Sequence, residues 1–416
     1  MGATGILLAA SAPTLVAASW TETVIHGFTG GAHGNNPIYG TLVQDASGAL
    51  YGTASGEGSS EKAAHGIIYR LTPASKNGSK WTFSSIYSFP HSHSVGPGYA
   101  IGGLTIDAEG NLYGTTTVGL VFELSPPAAG STVWTYTTIA NLESQMNNTL
   151  VGSLLLSSSG ALFGVSIQSA ANANGSIFEL VPPSGGNGPW TYNLLYAFQP
   201  ITDGAHPAAG LITDAQGNLY GTTASGGPAI AGTVFELVAP TAGQTAWTES
   251  VLYAFNGGTT DGSTPVCSLL FDASGALYGT TYQGGKYDSG TIFKLTPPAP
   301  GSSTWSESLL HDFAGPGAEG PNGGLIADAQ GNLYGSTVTG PNTVGTVFKL
   351  TPPGGSKTKW AFKTLWSFPT SSEDGVFPQG NLFITALGDL YGTTELGGPG
   401  PCTSPSGCGT VFQVAP

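Results

Sequence analysis

Five of the seven histidines in this chain stand in stretches that read as loops: His33, His65, His91, His93 and His206. The first four fall early in the chain, interspersed with Glu57, Glu61 and Tyr99. Imidazoles titrate near neutral pH and ligate transition metals, so such a cluster can hold a metal, move a proton or bind a polar ligand. Loops also collect polar residues with no ligand in view, and His91-Ser92-His93 alone is a weak signal. A second set is acidic. Asp203, Asp261 and Asp374 each precede a glycine at one recurrent place, and Glu319 lies near the corresponding place of another segment. Converging carboxylates supply the hard oxygens that Ca2+ takes. Asp-Gly equally shapes a turn by itself, and both readings stand at this point.

Other signatures fail. Gly56-Glu-Gly-Ser-Ser-Glu61 lacks the third glycine and the lysine of a phosphate-cradling loop. No Gly-x-Ser-x-Gly elbow sits between a strand and a helix. With 10 basic and 24 acidic residues the net charge is −14, and Lys76, Lys80, Lys357 and Lys359 form scattered pairs rather than a stripe. Nucleic acid is therefore not an expected partner. Cys402 and Cys408 enclose Thr-Ser-Pro-Ser-Gly, a turn able to bring two sulfurs together. A disulfide there suits an oxidising compartment. Cys267 lies in a strand-like run and reads as an inert core residue.

The elements that would position these residues repeat. Asp214-Ala-Gln-Gly-Asn-Leu-Tyr-Gly-Thr-Thr223 has near-copies starting at Asp107, Asp272 and Asp328, and weaker ones centred on Tyr51, Phe163 and Tyr391. Asp can bond amides ahead of it and Gly takes the positive φ of a tight hairpin, so Asp45, Asp107, Asp214, Asp272 and Asp328 read as turn formers. Ser157 and Thr385 replace them in the remaining copies, as a cap tolerates. Tryptophans at 20, 81, 134, 190, 247, 305 and 360 mark the same period. Each unit holds four strand-like runs: one before the Asp turn (A), the Leu-Tyr-Gly-Thr-Thr run (B), a Thr-Val-Phe-Glu-Leu type run (C) and a Trp-started run (D). His26 and His311 occupy the tyrosine place of run D and read as packing residues.

The expected fold is all-β: a seven-bladed β-propeller with four strands per blade. The chain opens on a D run and ends on a C run, so the N-terminal strand is expected to complete the last blade. Residues 20–416 then form one propeller domain. Residues 1–19 are apolar and rich in small side chains, either the remnant of an export signal or a loose segment. They are too short and interrupted to span a bilayer.

This pattern, with Asp-Gly-x-x-Pro between blades, resembles the GloVer-type tandem repeat of bacterial exported proteins. The resemblance covers the chain from Trp20 onward. It implies export and names no catalytic residues. Leu-x-Tyr with Gly-Asn is also similar to the blades of seven-bladed streptogramin lyases, an analogy of blade chemistry only.

Loop lengths suggest where a ligand would sit. From the glycine of run B to the glycine opening run C there are 14, 5, 11, 11, 11, 10 and 17 residues in blades one to seven. The rim should stand high at blades seven and one and low at blade two, leaving a groove there. The first reading is therefore an exported, monomeric, non-catalytic propeller, secreted, periplasmic or at the cell surface. It binds a glycan or partner protein near blades seven, one and two through His33, His65, His91, His93, Glu57, Glu61 and Tyr99. The second is a polysaccharide lyase or glycoside hydrolase using the same groove. The third is a structural surface module without ligand. A calcium ion held by Asp203, Asp261, Glu319 and Asp374 at the channel mouth is compatible with each.

Overall fold

The computed structural model describes residues 19–37, 41–56, 66–73, 80–90, 100–146, 150–169, 173–186, 188–241, 243–314, 320–340, 343–369, 374–400, 402 and 407–416. The recurrent stretch is a hairpin gripped by its aspartate. Asp214 Oδ1 accepts the backbone N–H groups of Gln216 and Asn218, each at 2.9 Å. Its Oδ2 accepts Asn218 Nδ2–H at 2.9 Å and the Tyr220 hydroxyl at 3.0 Å. One carboxylate thus closes the turn and fixes the tyrosine of the next strand. Asp328 makes the same bonds. Asp45 and Asp272 accept a serine hydroxyl where the asparagine is missing. Burial opposes ionisation at Asp45, Asp272 and Asp328, yet these hydrogen bonds outweigh it and hold the carboxyls below their ordinary range. In blade three Ser157 Oγ accepts the equivalent amide of Ala161 at 3.0 Å.

The glycine after the tyrosine is there for close approach. A Cβ on Gly221 would lie 2.6 Å from Phe235 Cζ, because the phenylalanine of strand C crosses directly over it. The same crossing recurs in every other blade. In blade one Tyr69 takes the phenylalanine place, and its buried hydroxyl finds no partner among the described residues. Burial pushes that phenol far up.

These hairpins build seven small antiparallel sheets of four strands. Blade four, for example, runs from Ile212–Thr213 through Leu219–Ser225 and Thr233–Val238 to Thr248–Ala254. The other D strands are Thr82–Ser88, Thr135–Asn141, Thr191–Ala197, Ser306–Asp312 and Ala361–Ser367 for blades one, two, three, five and six. In the last sheet Thr410–Ala415 pairs antiparallel with Thr21–Gly27, from Thr21 opposite Ala415 to Gly27 opposite Thr410. Helix among the described residues amounts to Glu143–Met146 and a short 3-10 turn at Gly31–His33.

The core lies between blades. Seven apolar clusters separate successive sheets, one of them joining Tyr391 and Val411 of blade seven to Leu42, Ile67 and Tyr69 of blade one. Two aromatic contacts recur. The phenylalanine ending one D strand meets the strand C ring of the next blade edge-on, as Phe198 does Phe235 at 5.1 Å. The tryptophan of each D strand leans back on the preceding blade, as Trp134 does on Tyr51 at 5.8 Å. Each such pair contributes about 1 kcal/mol beyond its buried area.

Candidate functional site at the channel mouth

The inner strands pass the axis with two small residues and a leucine, as in Gly102-Gly103-Leu104, Ala209-Gly210-Leu211 and Gly323-Gly324-Leu325. The leucines enter the inter-blade core and the small residues face the channel. All seven blades line one central cavity of about 340 Å³. Its waist is set by backbone: a Cβ on Gly102 would meet Gly152 O at 2.4 Å, and one on Gly323 would meet Gly380 O at 2.3 Å. The first threonine of Leu-Tyr-Gly-Thr-Thr ties neighbours together, Thr222 Oγ1 donating to Cys267 O and Thr280 Oγ1 to Gly323 O, both at 3.1 Å. Cys267 is buried at this waist, and desolvation pushes its thiol up, as suits an unreactive residue.

Above blades five to seven the channel widens into an open depression of about 550 Å³. It shares Val266 and Asn322 with the channel wall. Asn322 Nδ2 donates to Gln379 Oε1 at 3.2 Å, and Gln379 Nε2 donates to Glu395 Oε2. Burial raises the Glu395 carboxyl, with the bond from Gln379 acting against it. Tyr282 and Phe377 add two rings to the same lining.

Phe377 belongs to a set. In Asp-Gly-x-x-Pro the residue before proline sits in the left-handed region: His206 at φ 58°, Thr264 at 55° and Phe377 at 57°, joined by Asn36 at 41° in blade one. Each such residue costs about 1–2 kcal/mol outside glycine. The conformation is held from the preceding blade, whose loop carbonyls accept the N–H groups. His206 donates to Asn174 O at 2.7 Å, Thr264 to Ala231 O and Phe377 to Val344 O, both at 2.8 Å. The proline then lies on the glycine that opens the neighbouring strand C, with Pro207 Cδ 2.5 Å from where a Gly175 Cβ would stand. Local strain imposed by the surrounding structure at a channel mouth is a common mark of a functional surface.

Of the histidine set, His33 is described: it is exposed, ends the Gly31–His33 turn, and its ring is 5.8 Å from Phe83. His65, His91, His93, Glu57, Glu61 and Tyr99 lie outside the described residues, as does Glu319. His206 joins Ser225 Oγ through Nδ1 at 2.7 Å. Asp203 and Asp261 are 4% and 5% exposed, and each serves its own loop. Asp203 accepts the Tyr196 hydroxyl and the Gln199 amide. Asp261 accepts the Tyr253 hydroxyl and the amides of Asn256 and Gly262. Among the described residues no three His, Cys, Asp or Glu side chains come together as a metal-binding group. Cys402 and Cys408 are bonded, with Cα atoms 5.3 Å apart.

Three glutamates escaped the sequence reading. Glu22, Glu249 and Glu307 hold the same place in the D strands of blades seven, four and five, where Phe83, Tyr136, Tyr192 and Phe362 stand in the others. Each has one carboxyl oxygen buried without a hydrogen bond among the described residues. Burial first, then the nearby charge of Asp374, Asp203 or Asp261, pushes them up to about 7, 8 and 7 respectively. The signal was present as Trp-Thr-Glu or Trp-Ser-Glu at Trp20, Trp247 and Trp305.

The family model of the Gloeobacter/Verrucomicrobia repeat matches residues 13–228, 117–307 and 217–416. The chain belongs to this repeat family. No curated relative matches the sequence. Among solved structures, a putative oxidoreductase (glucose dehydrogenase) from Thermus thermophilus is 15% identical, with TM-score 0.44, covering 75% of this chain and 95% of its own. A luciferin-regenerating enzyme is 12% identical, with TM-score 0.43, over 94% and 96% of the two chains. A Trichoderma reesei protein of carbohydrate-active enzyme family AA12 is 13% identical, with TM-score 0.43, over 96% of each. These are likenesses of fold alone. In this member of the Gloeobacter/Verrucomicrobia repeat family the Leu-Tyr-Gly signature builds the skeleton between blades.

Proposed function

We propose that this Gloeobacter/Verrucomicrobia-repeat propeller is an exported, non-catalytic protein that binds a neutral glycan at its channel mouth. The observation that carries the reading is the Asn322–Gln379–Glu395 chain lying in one depression with Tyr282 and Phe377. Amides and a carboxyl offer donors and acceptors together, which matches the hydroxyls of a sugar, and aromatic faces cover its C–H surface. A net charge of −14 disfavours polyanions. Glycosidic cleavage ordinarily takes a pair of carboxyl groups about a sugar bond, whereas Glu395 is the one carboxyl among the described residues of this lining. The disulfide favours an oxidising compartment. The rim over blades seven, one and two, with His33 at its edge, would extend the same mouth.

Affinity electrophoresis and calorimetry against neutral glycans (xylan, glucomannan, β-glucan) and polygalacturonate test this. The wild type should be retarded by at least one neutral polymer and not by the polyuronate. Gln379→Ala and Tyr282→Ala should each weaken binding about tenfold, the equivalent of ~1.4 kcal/mol. Binding that both variants leave intact, or no retardation by any neutral polymer, would sink the proposal.

A further inference from the structure

The inner strands carry a second register at the mouth, three residues ahead of their buried leucine. Blades three, four and five place Val151, Ala208 and Val266 there, ahead of Leu154, Leu211 and Leu269. Blades six and seven place Asn322 and Gln379 there, ahead of Leu325 and Leu382. All five are half-buried. Val151, Ala208 and Val266 line the central cavity, joined by Ile167 from just past strand B of blade three. Asn322 and Gln379 line the open depression, and Val266 and Asn322 belong to both. The mouth is therefore two-sided, polar over blades six and seven and apolar over blades three to five.

Below the apolar side the cavity continues as a shaft, and among the described residues no charged side chain lines it. Much of its polar wall is already engaged between blades. The carbonyls of Gly102, Cys267 and Gly323 accept the hydroxyls of Thr53, Thr222 and Thr280 at 3.3, 3.1 and 3.1 Å. The Cys267 thiol donates to Thr280 O at 3.1 Å, and the Gly324 amide donates to Asn381 Oδ1. Ser153 and Ser268 stand two residues deeper, their Oγ atoms 2.3 and 3.3 Å from where a Cβ on Gly103 or Gly210 would lie. The shaft also narrows there, since a Cβ on Gly152 would lie 2.6 Å from Gly210 N. A wall so engaged and uncharged favours an apolar occupant and excludes a charged one, and the narrowing limits its length.

We propose that the mouth takes a sugar bearing a short ester-linked acyl group. The sugar lies on the Asn322–Gln379–Glu395 side, and the acyl group enters the shaft between Val151, Ala208 and Val266. This rests on the glycan reading above and sharpens it: the polar half holds the sugar, and the apolar half selects its substituent. A carboxylate or phosphate substituent at the same place would lose its hydration with no cation to meet it.

Calorimetry on the full chain compares O-acetylated glucomannan with the same polymer after alkaline de-esterification, and butyl with methyl β-D-glucoside. The acetylated polymer and the butyl glucoside should each bind at least tenfold tighter than their counterparts. Ala208→Leu fills the shaft, and Val151→Asn gives blade three the residue that blade six carries at this place. Neither residue lines the depression. Both variants should bind the two polymers alike, at the level of the wild type with the de-esterified one. Gln379→Ala should weaken both polymers by the same factor. Should Ala208→Leu fold poorly, Ala208→Val repeats the test with the residue that blade five accepts. Equal wild-type affinity for the two polymers, or an acyl preference that survives in both shaft variants, overturns the shaft assignment and leaves the glycan reading in place. Butyl glucoside binding that the shaft variants abolish, with no polymer bound, would support the shaft and remove the polymer reading alone.

Discussion

Blade four carries two aspartates at its opposite ends, each holding a tyrosine hydroxyl and a backbone amide. Asp214 closes the A–B turn and bonds Tyr220, in partial contact with solvent. Asp203 closes the mouth-side loop and bonds Tyr196, almost wholly buried. The first grip is completed within a single hairpin, so nothing in the neighbouring blade can alter what it needs. It repeats nearly unchanged around the ring. The second is shared between two blades, since Tyr196 ends blade three and Asp203 opens blade four, and its residues vary: His33 stands in the aspartate's place in blade one. Self-contained contacts are free to repeat, while contacts between blades can differentiate.

The sharpest way to break this contrast is to disturb the skeleton common to all blades. Gly221→Ala would put a Cβ 2.6 Å from Phe235 Cζ and 3.0 Å from Leu211 Cδ2. Overpacking of this kind costs up to ~3 kcal/mol. Gly354 has no atom within 4 Å of its would-be Cβ, and Gly354→Ala should stay within ~0.5 kcal/mol. Urea midpoints compare the two. Equal midpoints would mean that the strand C rings yield easily and that the hairpin is a softer element than its geometry implies.

Next in size is the pair of aspartates themselves. Asp203→Ala leaves the Tyr196 hydroxyl and the Gln199 amide without their acceptor in a buried place, a loss of about 2 kcal/mol. It also removes one of the two causes that raise Glu249, the smaller one, so the alkaline decline in stability should shrink without vanishing. Asp214→Ala should cost about 1 kcal/mol, since water reaches the vacated turn, and should leave the pH profile as it was. Thermal unfolding between pH 5 and 9 separates them. Parallel profiles for both variants would show that the mouth-side aspartate is a turn former and nothing more.

Much of this was legible in the residues. Asp-x-x-Gly with Leu-Tyr-Gly, recurring around the ring, states a hairpin and its tyrosine, because every partner lies within a few positions along the chain. The Cys402–Cys408 bond was legible for the same reason. The mouth was not. Asn322 comes from the segment ahead of one inner strand, Gln379 from another inner strand and Glu395 from the strand paired with it, and single residues of unlike type carry no period to notice. Glu249 could have been seen: a carboxylate replacing an aromatic ring in a recurrent strand position is a local departure, and only the fold reveals that its Oε1 is buried without a hydrogen bond among the described residues. Of the residues that the histidine and loop-length arguments name near blades seven, one and two, His33 alone is described.

The smallest expected effect concerns the other titrating residue of the D strands. His311 lies flat on Phe362, with ring centroids 4.0 Å apart, and meets Phe313 edge-on. Burial lowers its imidazole from 6.5, with Asp312 acting in the opposite direction. His26 makes the same stack on Phe83 and is lowered to about 4 by burial and by His33. For these bases the sign is opposite to that of the glutamates: the stability they give is present above pH 6.5 and lost as pH falls through the depressed value. Between pH 4.5 and 6.5 the two sets oppose each other, and stability should peak in mild acid. His311→Tyr installs the ring that Tyr87, Tyr196 and Tyr253 present at this place in blades one, three and four. Thermal unfolding of this variant should match the wild-type slope above pH 7 and decline less steeply below pH 6.5. A change confined to the alkaline side would mean that His311 acts through its neighbour Asp312 on Glu307 rather than on the acid limb.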